Sequence, residues 1–210
     1  DLVRSAIPCY FTSRLASDYV KVILTGEGAD ELFAGYTYYK GIQDFAVLHD
    51  ELRRSVASLH NINLQRVDRM TMAHSIEGRV PFLDVHMIRL GQRVPARLKL
   101  DPSRGPEKWI LRKAFEDLLP RDILWRDKEQ FDEGSGTVDL VHATLDKMID
   151  TREMENYRKK NPDSRLRSSE EALYHKMFNE VYRRPDPIEA NVARWADRPT
   201  WIAASNAFRN

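Results

Sequence analysis

The chain has 210 residues, of which 42% are hydrophobic and 31% charged, and its formal net charge is +1. Because positive and negative charges nearly cancel, there is no electrostatic reason to expect binding to nucleic acid or an anionic membrane. No apolar run approaches the roughly 20 residues that cross a bilayer. Cys9 is the only cysteine, which excludes a disulfide framework and a cysteine-rich zinc site. We therefore expect a cytoplasmic protein with neither nucleic acid nor a membrane among its partners.

The first strong structural signal is the aliphatic run VKVILT at residues 20–25, which ends in glycine. Such a run is typical of a strand that is buried on both faces of a parallel sheet. A short helical pattern precedes it at residues 13–19, and no second run of equal quality follows. Because a lone strand cannot satisfy its own backbone hydrogen bonds, we expect partner strands from an N-terminal half outside this sequence.

After Gly28 the hydrophobic spacing is helical almost throughout. The predicted helices cover residues 29–39, 45–59, 64–74, 81–94, 106–119, 138–149 and 168–183. The highly charged residues 151–167 predict an exposed connection or a frayed helix, and residues 184–210, rich in proline and tryptophan, predict an irregular arm. The fold class is therefore α/β, mostly helical with one clear buried parallel strand.

The segment TGEG at residues 25–28 carries the most informative chemistry. A strand, a glycine turn and a helix start form an anion site, because the turn amides point outward and the helix dipole favours negative charge. Glu27, Asp30 and Glu31 nevertheless place carboxylates where phosphates would lie. This combination suits a nucleotide only if Mg²⁺ bridges carboxylate and phosphate, or if a cationic substrate group binds. The alternative is that Asp30 and Glu31 merely complement the dipole of the first helical turn.

Four motifs occur in a fixed order along the chain. They are TGEGADELFAGY (25–36), MAHSIEGRVPFLD (72–84), EKWILRKAFEDLLP (107–120) and ILWRDKEQFDEG (123–134). Together they closely resemble the synthetase domain of the glutamine-dependent asparagine synthetases, from about residue 20 to the end. The resemblance implies the back part of an ATP-pyrophosphatase domain, partial over residues 1–150, with residues 151–210 as its helical extension and arm.

The resemblance also implies a reaction. ATP and Mg²⁺ would adenylate the side-chain carboxylate of aspartate, pyrophosphate would leave, and ammonia derived from glutamine would displace AMP to give asparagine. The full-length protein would be a homodimer. The glutaminase domain with its N-terminal cysteine is missing, since the chain starts at Asp1, and so is the Ser-Gly-Gly-x-Asp-Ser pyrophosphate loop. We therefore expect the chain to be inactive by itself.

Roles for the first three residues of the turn follow from the same resemblance. Thr25 and Gly26 would contact the adenosine or ribose part of ATP, with Thr25 where serine is more usual. Glu27 matches the glutamate linked to forming the aspartyl-AMP intermediate and to its attack by ammonia. A carboxylate is apt there, because it can accept a proton as the attacking nitrogen becomes cationic.

Three further roles complete the predicted site. Asp30 would help to hold Mg²⁺ on the pyrophosphate, and Glu31 would face the α-amino group of aspartate. Lys128 resembles the lysine that neutralises phosphate charge during adenylation. Without the resemblance, Lys128 would be interpreted as part of a solvated charged loop.

Two other functions stay open at the level of sequence. The first is a relative that adenylates a carboxylate and then closes a ring, as β-lactam and carbapenam synthetases do, and the second is a non-catalytic helical scaffold. In the segment RVPFLD, Asp84 or a neighbouring residue is expected to cap a helix. Arg79 could pair with Glu77 or reach a ligand, and Asp68 is a weak candidate for a second acid.

Overall fold

The computed structural model describes residues 4–129 and 131–182, which fall into two compact units. The larger unit contains residues 9–129, and the smaller unit combines residues 4–8 with residues 131–182. The predicted boundary at residue 150 follows from the family resemblance and not from the division into compact units, and it stays a prediction. The predicted arm at residues 184–210 lies outside the described residues.

Two short parallel strands form the sheet of the larger unit. Strand β1 (Val22–Leu24) pairs with β2 (Glu77–Arg79), with Ile23 opposite Gly78. The expectation that the chain is helical almost throughout after Gly28 missed this second strand. The prediction that β1 is buried on both faces is also wrong for the described residues, because Val22 is 38% exposed and Leu24 is 73% exposed. β2 escaped prediction because its sequence, Glu-Gly-Arg, is short and polar and has no apolar alternation.

A glycine turn joins β1 to helix α2 (Ala29–Phe33), which is shorter than the predicted helix at residues 29–39. Ala34 ends α2 in the left-handed region with φ 59°, and a 3₁₀ turn follows over Thr37–Gly41. The break lets Tyr39 enter the core, where its hydroxyl donates to Ser55 Oγ at 2.9 Å. Tertiary packing thus overrides the helical spacing of this segment.

The remaining helices of the larger unit position the site. They are α1 (Ala6–Ser17), which begins in residues 4–8 of the smaller unit, α3 (Phe45–Ser58), α4 (Asn63–Met72), α5 (Val85–Arg93), α6 (Ala96–Lys99), α7 (Trp109–Ala114) and α8 (Arg121–Leu124). The predicted helix at residues 81–94 divides into a 3₁₀ turn at Pro81–Leu83 and α5. The helix predicted at 106–119 is limited to α7, and Leu118 and Leu119 after it are exposed.

The core of the larger unit lies between α3 and the segments that follow α2 and precede α7. Its buried hydrophobic residues are Ala34, Tyr39, Ile42, Leu48, Leu52, Ala96 and Leu100. α3 begins at Asp44, whose carboxylate accepts from the backbone N–H of Ala46 at 2.7 Å, which satisfies an otherwise unpaired amide of the first turn. This core holds the segment after α2. It therefore also holds the end of residues 25–31, which contain Glu27, Asp30 and Glu31 and are called the acidic turn below.

The smaller unit contains α9 (Phe131–Gly134), α10 (Thr137–Met148), α11 (Thr151–Lys160) and α12 (Ser169–Val181). Its buried core is formed by Val141, Leu145, Met154, Ala172 and Leu173. Of the two alternatives predicted for residues 151–167, an exposed connection or a frayed helix, the structure has a helix over Thr151–Lys160, and this helix buries Met154. In neither unit does any helix within the described residues combine the length and apolarity that a membrane span requires.

Candidate functional site

Two glycines allow the backbone to close around the acidic turn. Gly28 has φ 92°, and a Cβ at this position would lie 2.3 Å from Leu83 Cδ2. A Cβ at Gly35 would lie 1.8 Å from Asp30 Oδ1, and the Gly35 amide donates to the carbonyl of Asp30 at 2.8 Å. Only a residue without a side chain fits either position, so the turn and the carboxylate of Asp30 are held in one arrangement.

Asp30 lies between two lysines that are distant from it in sequence. Lys108 Nζ lies 2.8 Å from Asp30 Oδ1, and Lys128 Nζ lies 3.0 Å from Oδ2 and 3.1 Å from Oδ1. Burial alone would raise the pKa of Asp30, but the two ammonium groups outweigh burial and lower it below its usual value. The structure therefore brings the predicted residues Asp30 and Lys128 together, with an ionised carboxylate between two positive charges.

Glu27 is paired with Arg66 of α4. Arg66 Nη2 donates to Glu27 Oε1, and the two side chains are only 13% and 18% exposed. Burial raises the pKa of Glu27, the charge of Arg66 opposes this, and the neighbouring charge of Asp30 adds to it. The result is a carboxylate that accepts protons more readily than an ordinary surface glutamate.

Glu31 is the most deeply buried acid of the turn, at 1% exposure. Tyr36 Oη donates to Glu31 Oε1, and Asn63 Nδ2 donates to the same oxygen at 2.9 Å. Burial is the largest influence and, with the nearby charges of Asp30 and Glu27, raises the pKa of Glu31 to about 7, although the hydrogen bond from Tyr36 opposes the rise. Its protonation state therefore changes near neutral pH.

Thr25 and Gly26 lie at the entrance of the turn. The amide of Thr25 donates to the carbonyl of Arg79 at 2.8 Å, which continues the pairing of β1 with β2. Thr25 Oγ1 is buried and has no hydrogen-bond partner within the described residues. Gly26 is exposed, and no atom lies within 4 Å of the Cβ position. A ligand can thus approach the main chain at Gly26, and Thr25 offers it a polar atom that is still unpartnered.

Sequence reasoning missed three residues that shape this site, namely Arg66, Lys108 and Asn63. Lys108 lies in the motif EKWILRK, but nothing in the local pattern distinguishes it from a solvated helix residue. Arg66 and Asn63 lie on α4, where polar residues are ordinary on an exposed face. Only the three-dimensional pairing with the turn reveals them.

Other candidates prove to be structural or exposed. Asp84 caps α5 by accepting from the amide of His86 at 2.8 Å, as predicted. Arg79 pairs with Glu77 at 2.7 Å, and both side chains are about 60% exposed. Within the described ranges no three His, Cys, Asp or Glu side chains are grouped so that they could hold a metal ion by themselves.

A cavity of about 340 Å³ adjoins the site through Lys108. Its walls are mainly apolar, with basic side chains among them, and it is lined by Phe82, Lys108, Leu111, Arg112, Phe115, Leu119, Ile123, Leu124 and Arg126. Since Lys108 also contacts Asp30, the cavity and the acidic turn share one side chain.

Known proteins resemble this chain over almost its whole length. The family described as Asparagine synthase matches residues 2–46 and 43–205. The chain is 36% identical over 214 residues to the glutamine-hydrolyzing asparagine synthetase of Gallus gallus, which covers 97% of this chain and 37% of that protein. It is 34% identical to the probable asparagine synthetase of Schizosaccharomyces pombe, over 95% and 37% of the two chains.

A bacterial relative gives the same result. The chain is 33% identical over 190 residues to asparagine synthetase B of Escherichia coli, over 89% of this chain and 34% of that protein. It spans less than two-fifths of the length of each of these relatives. The family match covers nearly all of the chain, including the acidic turn and both lysines, and the chain therefore belongs to the asparagine synthase family.

Proposed function

We propose that the whole protein is an ATP-dependent ligase that makes asparagine from aspartate and ammonia, with glutamine as the source of the ammonia. The observation that carries the proposal is the acidic turn after β1, in which Asp30 is held by Lys108 and Lys128 while Glu27 and Glu31 lie beside it. The family membership and the parallel strand pair support an ATP-pyrophosphatase-type α/β domain.

The residues of the turn fit ATP and Mg²⁺. Among the residues that the structure describes, Thr25 Oγ1 has no hydrogen-bond partner and no atom lies near the Cβ position of Gly26, so both can contact the nucleoside part of ATP. Asp30 supplies one carboxylate, and Mg²⁺ in nucleotide sites is usually held by one or two carboxylates together with substrate phosphates. The bound ion would neutralise charge on the leaving pyrophosphate, and Lys128 and Lys108 would add two fixed positive charges there.

The remaining two carboxylates suit the aspartate side of the reaction. In the proposed sequence, the side-chain carboxylate of aspartate attacks the α-phosphorus of ATP, pyrophosphate leaves, and ammonia then displaces AMP from the acyl carbon. Glu27, with its raised pKa, would accept the proton that the nitrogen loses in the second step. Arg66 would hold Glu27 in place for this transfer.

Glu31 would bind the α-amino group of aspartate as a charged pair. Burial disfavours its ionised form, so a cationic partner would restore ionisation by supplying the missing opposite charge. Tyr36 and Asn63 fix one of its oxygens, which orients the carboxylate toward a single binding direction.

Replacement of Glu27 by Gln in the whole protein tests the proposal. With aspartate as the only acid supplied, the wild type should form asparagine and AMP in equal amounts. Glu27→Gln should lower the rate of asparagine formation by at least about 100-fold, the range typical of a lost acid–base group, with an unchanged unfolding temperature. Glu77→Gln, at an exposed glutamate of β2, is the matched control and should keep full activity.

The same assay separates the alternatives. Formation of neither AMP nor asparagine from aspartate, with AMP formed when a different carboxylic acid is supplied, would favour a ring-closing relative. Failure of the whole protein to bind Mg-ATP in a calorimetric titration would favour a non-catalytic scaffold and overturn the proposal.

Three further features of the whole protein are part of the proposal. Residues 1–150 would belong to the nucleotide-binding domain, and residues 151–210 would be its helical extension. The protein would work as a homodimer in the cytoplasm, with small molecules as its binding partners.

A further inference from the structure

Arg112 of α7 makes a set of hydrogen bonds that the proposed chemistry does not itself require. Its Nε donates to the carbonyl of Glu107 at 2.9 Å, and Nη2 donates to Glu107 Oε1 at 2.9 Å. Nη1 donates to the carbonyls of Leu124 at 2.7 Å and Arg126 at 2.8 Å. One guanidinium group therefore ties together a segment five residues before Arg112 and a segment 12 to 14 residues after it.

Each of these two segments is followed closely in sequence by one of the two lysines that contact Asp30. Glu107 precedes Lys108, and Leu124 and Arg126 lie shortly before Lys128. The separation between the two ammonium groups thus depends on how the segments are held relative to each other. Arg112 contacts both segments.

The segment on the Lys108 side needs such support. Lys108 has φ 58° and ψ 31°, in the left-handed region that is unfavourable for a residue with a side chain. Glu107, at 1% exposure, is paired with Lys40 at 3.0 Å and with Arg112. These two pairs anchor the backbone immediately before Lys108 and hold it in the unfavourable conformation.

Arginine is chemically suited to this task and lysine is not. A guanidinium group offers five N–H donors in a rigid planar fork, whereas an ammonium group is a compact point charge on a flexible stem. The Arg112 side chain is 11% exposed and the Glu107 side chain 2%, so the charges of the pair are shielded from water. The guanidinium group of Arg112 therefore fixes the relative position of the two segments and also balances the charge of Glu107.

We propose that Arg112 is a positioning residue that sets the two lysines at the spacing needed to grip the phosphate end of ATP. This inference rests on the proposed function, because it assumes that Lys108 and Lys128 meet a polyphosphate. Arg112 itself would not touch the nucleotide.

Calorimetric titration of the whole protein with Mg-ATP tests the inference in two stages. Wild type and Lys128→Gln are compared first, and Lys128→Gln should bind at least about 10-fold more weakly if the lysine meets phosphate. Arg112→Lys, which retains the charge and loses the fork, should then weaken binding by about 10-fold. Arg126→Gln removes a neighbouring exposed charge but keeps the carbonyl acceptor, so it is the control and should bind within about twofold of wild type.

The double variant distinguishes positioning from general destabilisation. If Arg112 acts through Lys128, Arg112→Lys should cost at most about threefold when Lys128 is already Gln, because the effects of coupled residues are not additive. A purely structural role would give the same loss in both backgrounds. Should Arg112→Lys fail to fold, Glu107→Gln replaces it in the same cycle, since it keeps the three bonds to carbonyl groups. It should cost about threefold with Lys128 present and nothing when Lys128 is already Gln.

The outcomes separate the two proposals. If the wild type fails to bind Mg-ATP, or Lys128→Gln binds as tightly as wild type, the assumed phosphate contact is wrong and both proposals fall. If Lys128→Gln binds weakly while Arg112→Lys binds like wild type, or if the two losses are fully additive, only the positioning role is overturned.

Discussion

Glu27, Asp30 and Glu31 lie within five consecutive residues, yet each carboxylate has different partners. Asp30 faces two lysines, which lower its pKa, whereas burial raises the pKa of Glu27 against the charge of Arg66. Glu31 has two uncharged donors and a pKa of about 7. One short segment therefore offers a carboxylate whose ionised form is favoured, one that binds a proton more readily than an ordinary glutamate, and one whose charge changes near neutral pH.

The pKa of Glu31 leads to a prediction about stability. Its value of about 7 in the folded chain lies above the ordinary value of 4.5, so its stabilising contribution is complete below pH 4.5 and is lost as the pH rises through 7. Glu31→Gln stays neutral and should therefore be more stable than wild type by about 3 kcal/mol at pH 8 and equal to it near pH 4. Urea unfolding of both chains across this pH range measures the difference.

A pH-independent difference would show that the pKa of Glu31 is the same in the folded and the unfolded chain, and it would overturn this prediction. Glu77→Gln is the control, because the exposed Glu77 should give no growing advantage as the pH rises.

Gly35 leads to a second prediction at this scale. Its missing Cβ leaves room for Asp30 Oδ1 and for Lys108 Cε, at 1.8 and 2.9 Å from the Cβ position. Gly35→Ala should therefore displace the ion pair and lower the free energy of unfolding by about 1–3 kcal/mol, as overpacking commonly does. Gly26→Ala meets no atom within 4 Å and should change the stability by less than about 0.5 kcal/mol. Equal losses in urea unfolding would contradict the role of the close contact.

Among the secondary-structure elements, prediction succeeded where the hydrophobic periodicity was strong. It failed where a cap or a tertiary contact determined the bounds of the helix. α3 and α10 have long apolar stripes and lie within a residue or two of their predicted bounds. α2 stops early because packing of Tyr39 and Ser55 decides the path of the chain. α11 was predicted only as one of two alternatives because its surface is almost entirely charged, although an aspartate at residue 150 followed by Glu153 is a helix-start signal.

The cap of α11 can be tested directly. Asp150 accepts from the amides of Arg152 at 2.9 Å and Glu153 at 3.0 Å. Asp150→Ala leaves both amides without this acceptor and should lower the free energy of unfolding by about 1 kcal/mol. Asp150→Asn keeps a capping oxygen and should be close to wild type, and a loss as large as that of Ala in urea unfolding would point to charge rather than capping.

For the whole molecule, the family could be predicted from the order of four motifs, but the geometry of the candidate site could not. Asp30 and Lys128 are separated by 98 residues, and no periodicity encodes a contact over that distance. Lys108, Arg66 and Asn63 carry no local signal at all. The roles of Glu27, Glu31, Thr25 and Gly26 toward substrates remain predictions.

The exposed face around β1 yields a prediction for the isolated chain. Leu24 is 73% exposed and Tyr19 is 79% exposed, and exposed apolar residues next to a strand promote association between chains. The chain should therefore show concentration-dependent self-association in sedimentation experiments, and Leu24→Lys should weaken it. Leu140→Lys alters an equally exposed leucine of the smaller unit (68%), and an equal effect of this variant would show that β1 has no special part.

The backbone of Lys108 has a consequence for anyone who tries to improve this protein. Glycine or asparagine would adopt its left-handed conformation at lower cost, so a screen that rewards heat resistance alone will favour them at residue 108. A variant selected in this way would be more stable and would lack one of the two positive charges beside Asp30. Selection for robustness and selection for turnover therefore pull this position toward different amino acids.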